Sequence, residues 1–171
     1  MALEIERKFL VTSDKWQRLG TPQLVRQGYL SRDIERTVRV RIKGDKAYLT
    51  IKGRNKGAVR TEFEYAIPTD EAAVLLDTLA LKPLIEKTRT KVAYAGKIWE
   101  VDRFFGENEG LVLAEVELTS ENETVELTSE NETVELPPWI GREVTHLTRY
   151  YNSALSERPY SEWSETEKAG D

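Results

Sequence analysis

The chain has 171 residues, of which 32% are charged, and a formal net charge of -5; this length is enough for one domain with a hydrophobic core. The acidic balance argues against a protein that binds duplex nucleic acid through a broad basic surface. Because the sequence contains no cysteine and one histidine, thiol nucleophiles, disulfides and zinc sites built from several cysteines or histidines are excluded.

Targeting signals are not apparent in the sequence. The N-terminus is charged where a signal peptide needs an apolar core, and no later apolar run approaches the length of a membrane span. We therefore expect a cytoplasmic protein with no membrane partner.

Hydrophobic alternation predicts β-strands through the first part of the chain. The first strand runs from the N-terminus to about Val11, and a short helix closed by Gly20 and Pro22 follows it. Alternating apolar and polar residues then predict strands at 23–31, 35–43, 46–52 and 59–67.

The second part of the chain continues this pattern after one helix. Thr69 is predicted to cap an amphipathic helix over 70–81. Further strands are predicted at 85–95, 98–105 and 111–118, and a short helix is expected within 140–155. The polar segment 156–171 is expected to be a loosely held tail.

A tandem duplication interrupts this order. Residues 117–125, Glu-Leu-Thr-Ser-Glu-Asn-Glu-Thr-Val, are repeated without change at 126–134. An insert of this length advances a helix by about two and a half turns and moves a strand to its opposite face, so neither absorbs it in register. We expect one copy to dock as a short helix and the other to be extruded or to extend that helix into solvent.

Strands joined by short turns, with few helices, predict an α+β, mostly β fold. The specific expectation is a closed eight-stranded antiparallel β-barrel with a few peripheral helices, spanning residues 1–155. The side chains of Trp16, Trp99 and Trp139 are expected to pack under the sheet rather than to stack on a ligand.

Charged side chains recur at alternate positions of these strands, so each strand carries them on one face. The acidic members are Glu4, Glu6, Glu62, Glu64, Glu100, Asp102, Glu115 and Glu117, and the basic members are Lys8, Arg39, Arg41, Lys52, Lys87 and Arg89. The simplest interpretation is the solvated face of an amphipathic sheet. Full charges dominate over Ser, Asn and Gln at these positions, however, and this favours a charged barrel interior.

A charged interior is stable only if water, ions or a charged ligand complete it. Lysine and arginine side chains from neighbouring strands suit phosphate oxygens. Carboxylates without nitrogen or sulfur partners suit Mg²⁺ or Mn²⁺. A basic region that binds a polyanion beside an acidic region that binds metal is the arrangement that phosphoryl transfer needs.

The same residues carry a resemblance to a known family. The motifs are Glu-x-Glu-x-Lys at 4–8, Arg-x-Arg at 39–41, Lys52, Glu-x-Glu at 62–64, Lys-x-Arg at 87–89, Asp102, Glu-x-Glu at 115–117, Trp-Ile-Gly-Arg-Glu-Val-Thr at 139–145 and Arg-Tyr-Tyr-Asn at 149–152. The pattern resembles the CYTH superfamily, the triphosphate tunnel metalloenzymes, from the N-terminus to about residue 155. The resemblance implies an eight-stranded antiparallel tunnel that binds triphosphates inside and depends on a divalent cation.

The resemblance also implies a role for each motif residue. The residues implied to bind the triphosphate are Lys8, Arg39, Arg41, Lys52, Lys87 and Arg89. The residues implied to hold Mg²⁺ or Mn²⁺ are Glu4, Glu6, Glu62, Glu64, Asp102, Glu115 and Glu117. Catalytic roles are expected for Glu4, Glu6, Lys8 and Lys87.

The expected function is metal-dependent hydrolysis of the terminal phosphoanhydride of inorganic triphosphate, with nucleoside triphosphates as further substrates. The alternatives are a class IV type adenylate cyclase, a thiamine triphosphatase and, from a different class, a polyphosphate-binding module without turnover. The expected partner is the small triphosphate substrate, and a homodimer is left open.

Overall fold

The structure is a computed structural model that describes residues 2–54, 56, 59–118 and 134–171, with side chains from Glu6 onward. Within these ranges nine strands form one antiparallel sheet. They are β1 Ala2–Val11, β2 Pro22–Ser31, β3 Arg36–Lys43, β4 Lys46–Gly53, β5 Val59–Ile67, β6 Leu81–Tyr94, β7 Lys97–Phe104, β8 Val112–Glu117 and β9 Ile140–Glu143.

Short helices connect and flank these strands. The α-helices are α1 Thr69–Val74, α2 Asn152–Leu155 and α3 Glu165–Lys168. One π-helical turn spans Leu75–Leu79, and 3₁₀ turns lie at Lys15–Arg18, Gly106–Asn108, Thr148–Tyr150 and Tyr160–Glu162. The fold is therefore mostly β, as the sequence predicts.

The strands follow one another around a tunnel in the order β5-β4-β3-β2-β6-β7-β8-β1, and β9 pairs with the far end of β1. The two ends of the series meet on β1, because its first half pairs with β5 over Ala2–Ile5 and its second half pairs with β8 over Glu6–Leu10. β1 therefore connects β5 to β8 and completes the tunnel wall, with each of its halves paired to a different strand. The mostly β tunnel architecture is confirmed, with β9 as a strand that the sequence did not predict.

The predicted helix over 70–81 differs in detail from the observed one. Its N-cap residue is Pro68 rather than Thr69, and the second half is π-helical, with the Ala80 amide donating to the Leu75 carbonyl at 2.9 Å. β6 then begins four residues before the predicted strand, since Leu81 already pairs with Tyr29 of β2. Long-range strand pairing therefore ends the helix earlier than its apolar periodicity suggests.

Two apolar clusters cover the outer face of the tunnel. Leu76, Ala72 and Ala80 of the helical segment pack on Val40 and Ala47 of β3 and β4. The helical segment also packs closely on β2, because a Cβ added at Gly28 would lie 3.0 Å from the Ala80 side chain and 3.2 Å from the Leu76 side chain. Trp16, Trp99 and Trp139, which are 3%, 0% and 2% exposed, share the second cluster, in agreement with their expected packing role.

The inner face changes from charged to apolar along three neighbouring strands. One step of strand period separates Lys87 from Ile85 on β6, Asp102 from Phe104 on β7 and Glu115 from Leu113 on β8. The apolar members belong to a third cluster, which also contains residues of the C-terminal segment, namely Tyr150, Leu155 and Trp163. One end of the tunnel is thus filled by a core, and the charged part remains beside it.

The expectation that residues 156–171 form a loosely held tail is wrong. Trp163 is 5% exposed, and its ring packs edge-on against Tyr150 with centroids 4.9 Å apart. The Arg149 side chain donates to the carbonyls of Glu167 and Asp171 at 3.0 and 2.8 Å. The polar composition of residues 156–171 suggested a tail, but the buried Trp163 side chain docks the segment onto the core.

Replacing Tyr150 with phenylalanine is expected to reduce the free energy of unfolding by about 1 kcal/mol, the usual net value of one hydrogen bond. The Tyr150 hydroxyl donates to the Glu167 carbonyl at 3.1 Å, and this bond fastens the C-terminal segment. Urea denaturation would measure the change, with Tyr65→Phe as the control because the Tyr65 side chain is 54% exposed. Equal losses in both variants would contradict the account.

The prediction for the duplicated segment concerns residues outside the described part of the chain, apart from its ends.

Among the described residues, no helix is long and apolar enough to cross a membrane.

Candidate functional site

The charged faces of the strands converge on one cavity of about 270 Å³. The predicted site residues that line it are Glu6, Lys8, Arg39, Arg41, Lys52, Glu62, Glu64, Arg89, Glu115 and Glu117. Lys87 and Asp102 lie behind them and are 0% and 1% exposed. Glu4 lies on β1, and its side chain is outside the described residues.

Asp102 binds two cations at once behind the cavity wall. Its Oδ1 accepts from Arg89 Nε at 2.7 Å, and its Oδ2 accepts from Arg89 Nη2 at 2.8 Å and from Lys87 Nζ at 2.7 Å. Burial alone would raise the pKa of Asp102, but the charges of Arg89 and Lys87 outweigh it and hold the pKa below its ordinary value. The carboxylate is therefore ionised and fully engaged.

This geometry differs from the predicted metal-binding role of Asp102. Both of its oxygens are used by Arg89 and Lys87, and it is not among the residues that line the cavity. A metal ion would have to displace a buried ion pair to reach it, which is unfavourable. Asp102 instead fixes the position of Arg89, which does line the cavity.

Lys8 is also held by carboxylates. Its Nζ donates to Glu6 Oε1 at 3.0 Å and to Glu115 Oε1 at 3.1 Å. Burial would lower the pKa of Lys8, but Glu115 and Glu6 outweigh it and raise the pKa above its ordinary value. Glu115 also lies 3.9 Å from Arg89, so this predicted metal ligand already serves two cations.

Three arginines on the opposite part of the wall have only neutral partners among the described residues. Arg41 Nε donates to the Gln27 side-chain oxygen at 2.8 Å, and Arg39 Nη2 donates to the Thr50 hydroxyl at 3.2 Å. Arg60 Nε donates to the Gly53 carbonyl at 2.8 Å. These guanidinium groups therefore carry positive charge that no described carboxylate balances by direct contact.

The positive charge of this region affects the pKa of Arg41. Burial, followed by the charges of Arg39 and Arg89, lowers the pKa of Arg41 to about 9. The group remains protonated at neutral pH but is poorly compensated. A multiply charged anion in the cavity would supply the missing charge and accept several charge-assisted hydrogen bonds.

The sequence interpretation missed several residues of the site. Arg60 also lines the cavity; it shares the inward parity of Glu62 and Glu64 on β5, so strand alternation alone could have assigned it. Tyr151, Asn152 and Ser153 line it from the region of α2, where no strand period applies. Asn152 Oδ1 accepts from Lys87 Nζ at 3.3 Å.

The acidic residues of the cavity have the right chemistry for a hard divalent cation, since Glu6, Glu62, Glu64 and Glu117 offer oxygen ligands from neighbouring strands. Within the described residues, no group of three or more His, Asp or Glu side chains is already arranged as a metal site. Glu6, Glu62, Glu64 and Glu117 are the described residues that would hold such a cation.

Lys87 is fully buried, and its pKa can be tested through the pH dependence of stability. Burial, with help from Arg89 and Arg41 and against Asp102, lowers the pKa of Lys87 to about 7, whereas an unfolded lysine titrates near about 10.4. Between these values the unfolded chain binds one more proton than the folded chain, so the free energy of unfolding rises with pH. The maximum slope is about 1.4 kcal/mol per pH unit.

We expect Lys87→Met to lose this contribution to the slope between pH 7 and 9. Urea denaturation of the wild type and the variant at several pH values would measure it. Lys46→Met is the matched control, because Lys46 is exposed. Parallel stability profiles for wild type and Lys87→Met would contradict the assignment.

Comparison with known proteins gives one consistent result. The model of the CYTH domain family matches residues 2–160. An inorganic triphosphatase of Acetivibrio thermocellus is 48% identical over 96% of this chain and the whole of that protein. An inorganic triphosphatase of Nitrosomonas europaea is 35% identical over 90% of this chain and 96% of its own length.

Solved structures lead to the same family. The crystal structure of an inorganic triphosphatase has a TM-score of 0.62 to this chain and is 33% identical to it. The match covers 91% of this chain and 95% of the other.

Proposed function

Because this chain belongs to the CYTH domain family, we propose that it hydrolyses the terminal phosphoanhydride of inorganic triphosphate in a reaction that depends on a divalent metal. Its relatives from Acetivibrio thermocellus and Nitrosomonas europaea are named inorganic triphosphatases. The observation that carries the proposal is the set of three cavity arginines with neutral partners, described above.

These arginines support a phosphate-rich ligand. Arg39, Arg41 and Arg60 each contribute planar guanidinium donors, which match phosphate oxygens in geometry and charge. A chain of three phosphates offers several negative charges over the length of such a cluster. Arg39 and Arg41 are proposed to bind it, with Lys52 and Arg60 extending the contact from β4 and β5.

The size and lining of the cavity favour inorganic triphosphate over nucleotides. A volume of about 270 Å³ is at the lower limit of typical small-molecule pockets. Among the described residues, the aromatic side chains that line it are Tyr29 and Tyr151, and Tyr151 already lies near Lys8 and Arg60.

The carboxylates are proposed to hold Mg²⁺ or Mn²⁺. Glu6, Glu62, Glu64 and Glu117 line the cavity beside the arginines, and Glu4 belongs to the same sequence motif. When bound, the metal would neutralise charge on the phosphate oxygens and polarise the phosphorus centre. Glu115 is proposed to act at the edge of this group, since it also binds Lys8.

The lysines and Arg89 are proposed to order the site. Lys8 joins Glu6 to Glu115, and we propose that it also contacts the phosphate chain from β1. Arg89 is proposed to bind phosphate while Asp102 fixes its orientation. Lys87 does not line the cavity, so its proposed part is to hold Asp102 and Asn152 in place.

One set of assays tests the proposed function. The protein would be incubated with Mg²⁺ or Mn²⁺ and, in turn, tripolyphosphate, ATP and thiamine triphosphate, with phosphate, pyrophosphate and cyclic AMP measured. We expect phosphate and pyrophosphate from tripolyphosphate, and no product after chelation with EDTA. Cyclic AMP from ATP would support a cyclase instead, and tight binding without any product would support a binding module.

A further inference from the structure

Gln27 is a buried polar residue that the proposed function leaves unexplained. It lies on β2, is 0% exposed and is not among the residues that line the cavity. Its side-chain oxygen accepts from Arg41 Nε at 2.8 Å, while its Nε2 is buried without a hydrogen-bond partner among the described residues. The side-chain oxygen of Gln27 therefore has a hydrogen-bond partner, which is Arg41, and its side-chain nitrogen has none among the described residues.

The surroundings of Gln27 would suit an apolar residue. Its register neighbours on the two adjacent strands are Arg41 and Ile85, and Ile85 is 0% exposed. Two residues away on the same inner face lie Val25 and Tyr29, which are also buried. Because an unsatisfied buried amide donor costs free energy, the fold alone gives no reason for glutamine here.

The contact with Arg41 gives that reason. Three buried cations of the site, Lys8, Lys87 and Arg89, donate to carboxylates. Arg41, like Arg39, has a neutral partner instead. A carboxylate beside Arg41 would hold it equally well but would cancel its charge. An amide oxygen fixes the guanidinium through Nε and leaves both the charge and the remaining donors for a ligand.

We propose that Gln27 is a positioning residue, which orients Arg41 towards the triphosphate without neutralising it. This inference rests on the proposed function, because it assumes that Arg41 binds a phosphate chain. It adds a residue that the family motifs of the sequence do not include, and it explains why the residue type is an amide rather than an acid or a hydrocarbon.

Two substitutions separate the two parts of the inference. Gln27→Met keeps the length and removes the acceptor, and Gln27→Glu keeps the acceptor and adds a negative charge. Calorimetry with tripolyphosphate in EDTA would give Kd without turnover. The Nε–H signal of Arg41 in an NMR spectrum, assigned by its loss in Arg41→Lys, would report the hydrogen bond itself.

We expect both variants to bind tripolyphosphate about tenfold more weakly, the effect of one lost or cancelled charge-assisted contact. The Arg41 signal should stay protected from exchange in Gln27→Glu and lose its protection in Gln27→Met. Gln23→Glu is the matched control, because Gln23 has the same inward parity on β2 but is exposed. It should change Kd much less.

Other outcomes would overturn the inference. An unchanged Kd in Gln27→Glu would show that charge at position 27 is irrelevant, and a protected Arg41 signal in Gln27→Met would show that Gln27 does not hold Arg41. If the wild type binds but does not hydrolyse tripolyphosphate, the proposed function fails, yet both readouts still decide the role of Gln27. Thermal unfolding of each variant would verify that it is folded.

Discussion

Replacing Arg41 with alanine is expected to lower kcat/KM for tripolyphosphate by at least about a hundredfold, the usual loss when a fixed donor to developing charge is removed. Arg41 lines the cavity and has a neutral partner, Gln27. Its charge is therefore available to the substrate in the ground state and in the transition state. Phosphate release at several tripolyphosphate concentrations would measure the change.

Arg26→Ala is the matched control for this experiment. Arg26 lies on the outer face of β2 and pairs with Asp77, and its side chain is 37% exposed. Loss of this exposed ion pair should change stability by less than about 1 kcal/mol and leave kcat/KM unchanged. An Arg41→Ala enzyme with nearly normal kcat/KM would show that the proposed arginine cluster does not bind the substrate.

Replacing Asp102 with asparagine is expected to reduce the free energy of unfolding by about 3–5 kcal/mol, because removing one partner of a buried ion pair leaves uncompensated charge. Asp102 is the shared carboxylate of Lys87 and Arg89. The variant would leave Lys87 without its carboxylate and the buried Arg89 with only the longer contacts to Glu100 and Glu115, at 3.4 and 3.9 Å. Urea denaturation at pH 7 would measure the loss. Asp33→Asn is the control, since Asp33 pairs with Arg36 at the surface.

The pH dependence of this loss follows from the depressed pKa of Asp102. A carboxylate with a lowered pKa stabilises the fold above its ordinary pKa of about 4 and loses that contribution as the pH falls through its folded value. The difference between wild type and Asp102→Asn should therefore narrow in acid. A difference that is small at pH 7 would mean that the Lys87 and Arg89 charges are compensated elsewhere.

Strand periodicity explains most of what the sequence could predict. Alternation fixed which residues face the tunnel, and the structure accordingly brings Arg39, Arg41, Lys52 and Glu62 to one cavity. The boundaries of β5, predicted at 59–67, agree with the structure. The number and order of the strands also predicted their closure into a barrel, and the family resemblance, confirmed by the match over residues 2–160, added the triphosphate as the expected ligand of its interior.

The rest depends on contacts that sequence patterns do not encode. The pairing of Asp102 with Lys87 and Arg89 is set by the register of β6 and β7, so a motif residue taken for a metal ligand is an ion-pair centre. Trp163 docks through distant partners such as Tyr150. Gln27 is a single neutral residue, and only its hydrogen bond reveals its connection to the site.

We propose that the charged part of the tunnel binds a chain of phosphates, and a crystal structure with tripolyphosphate would show whether it does. We expect phosphate oxygens within hydrogen-bond distance of Arg39, Arg41 and Arg60, inside the cavity and next to the apolar end formed with Trp163. Tripolyphosphate bound only on the outer surface, with these three guanidinium groups still on Thr50, Gln27 and Gly53 alone, would contradict it.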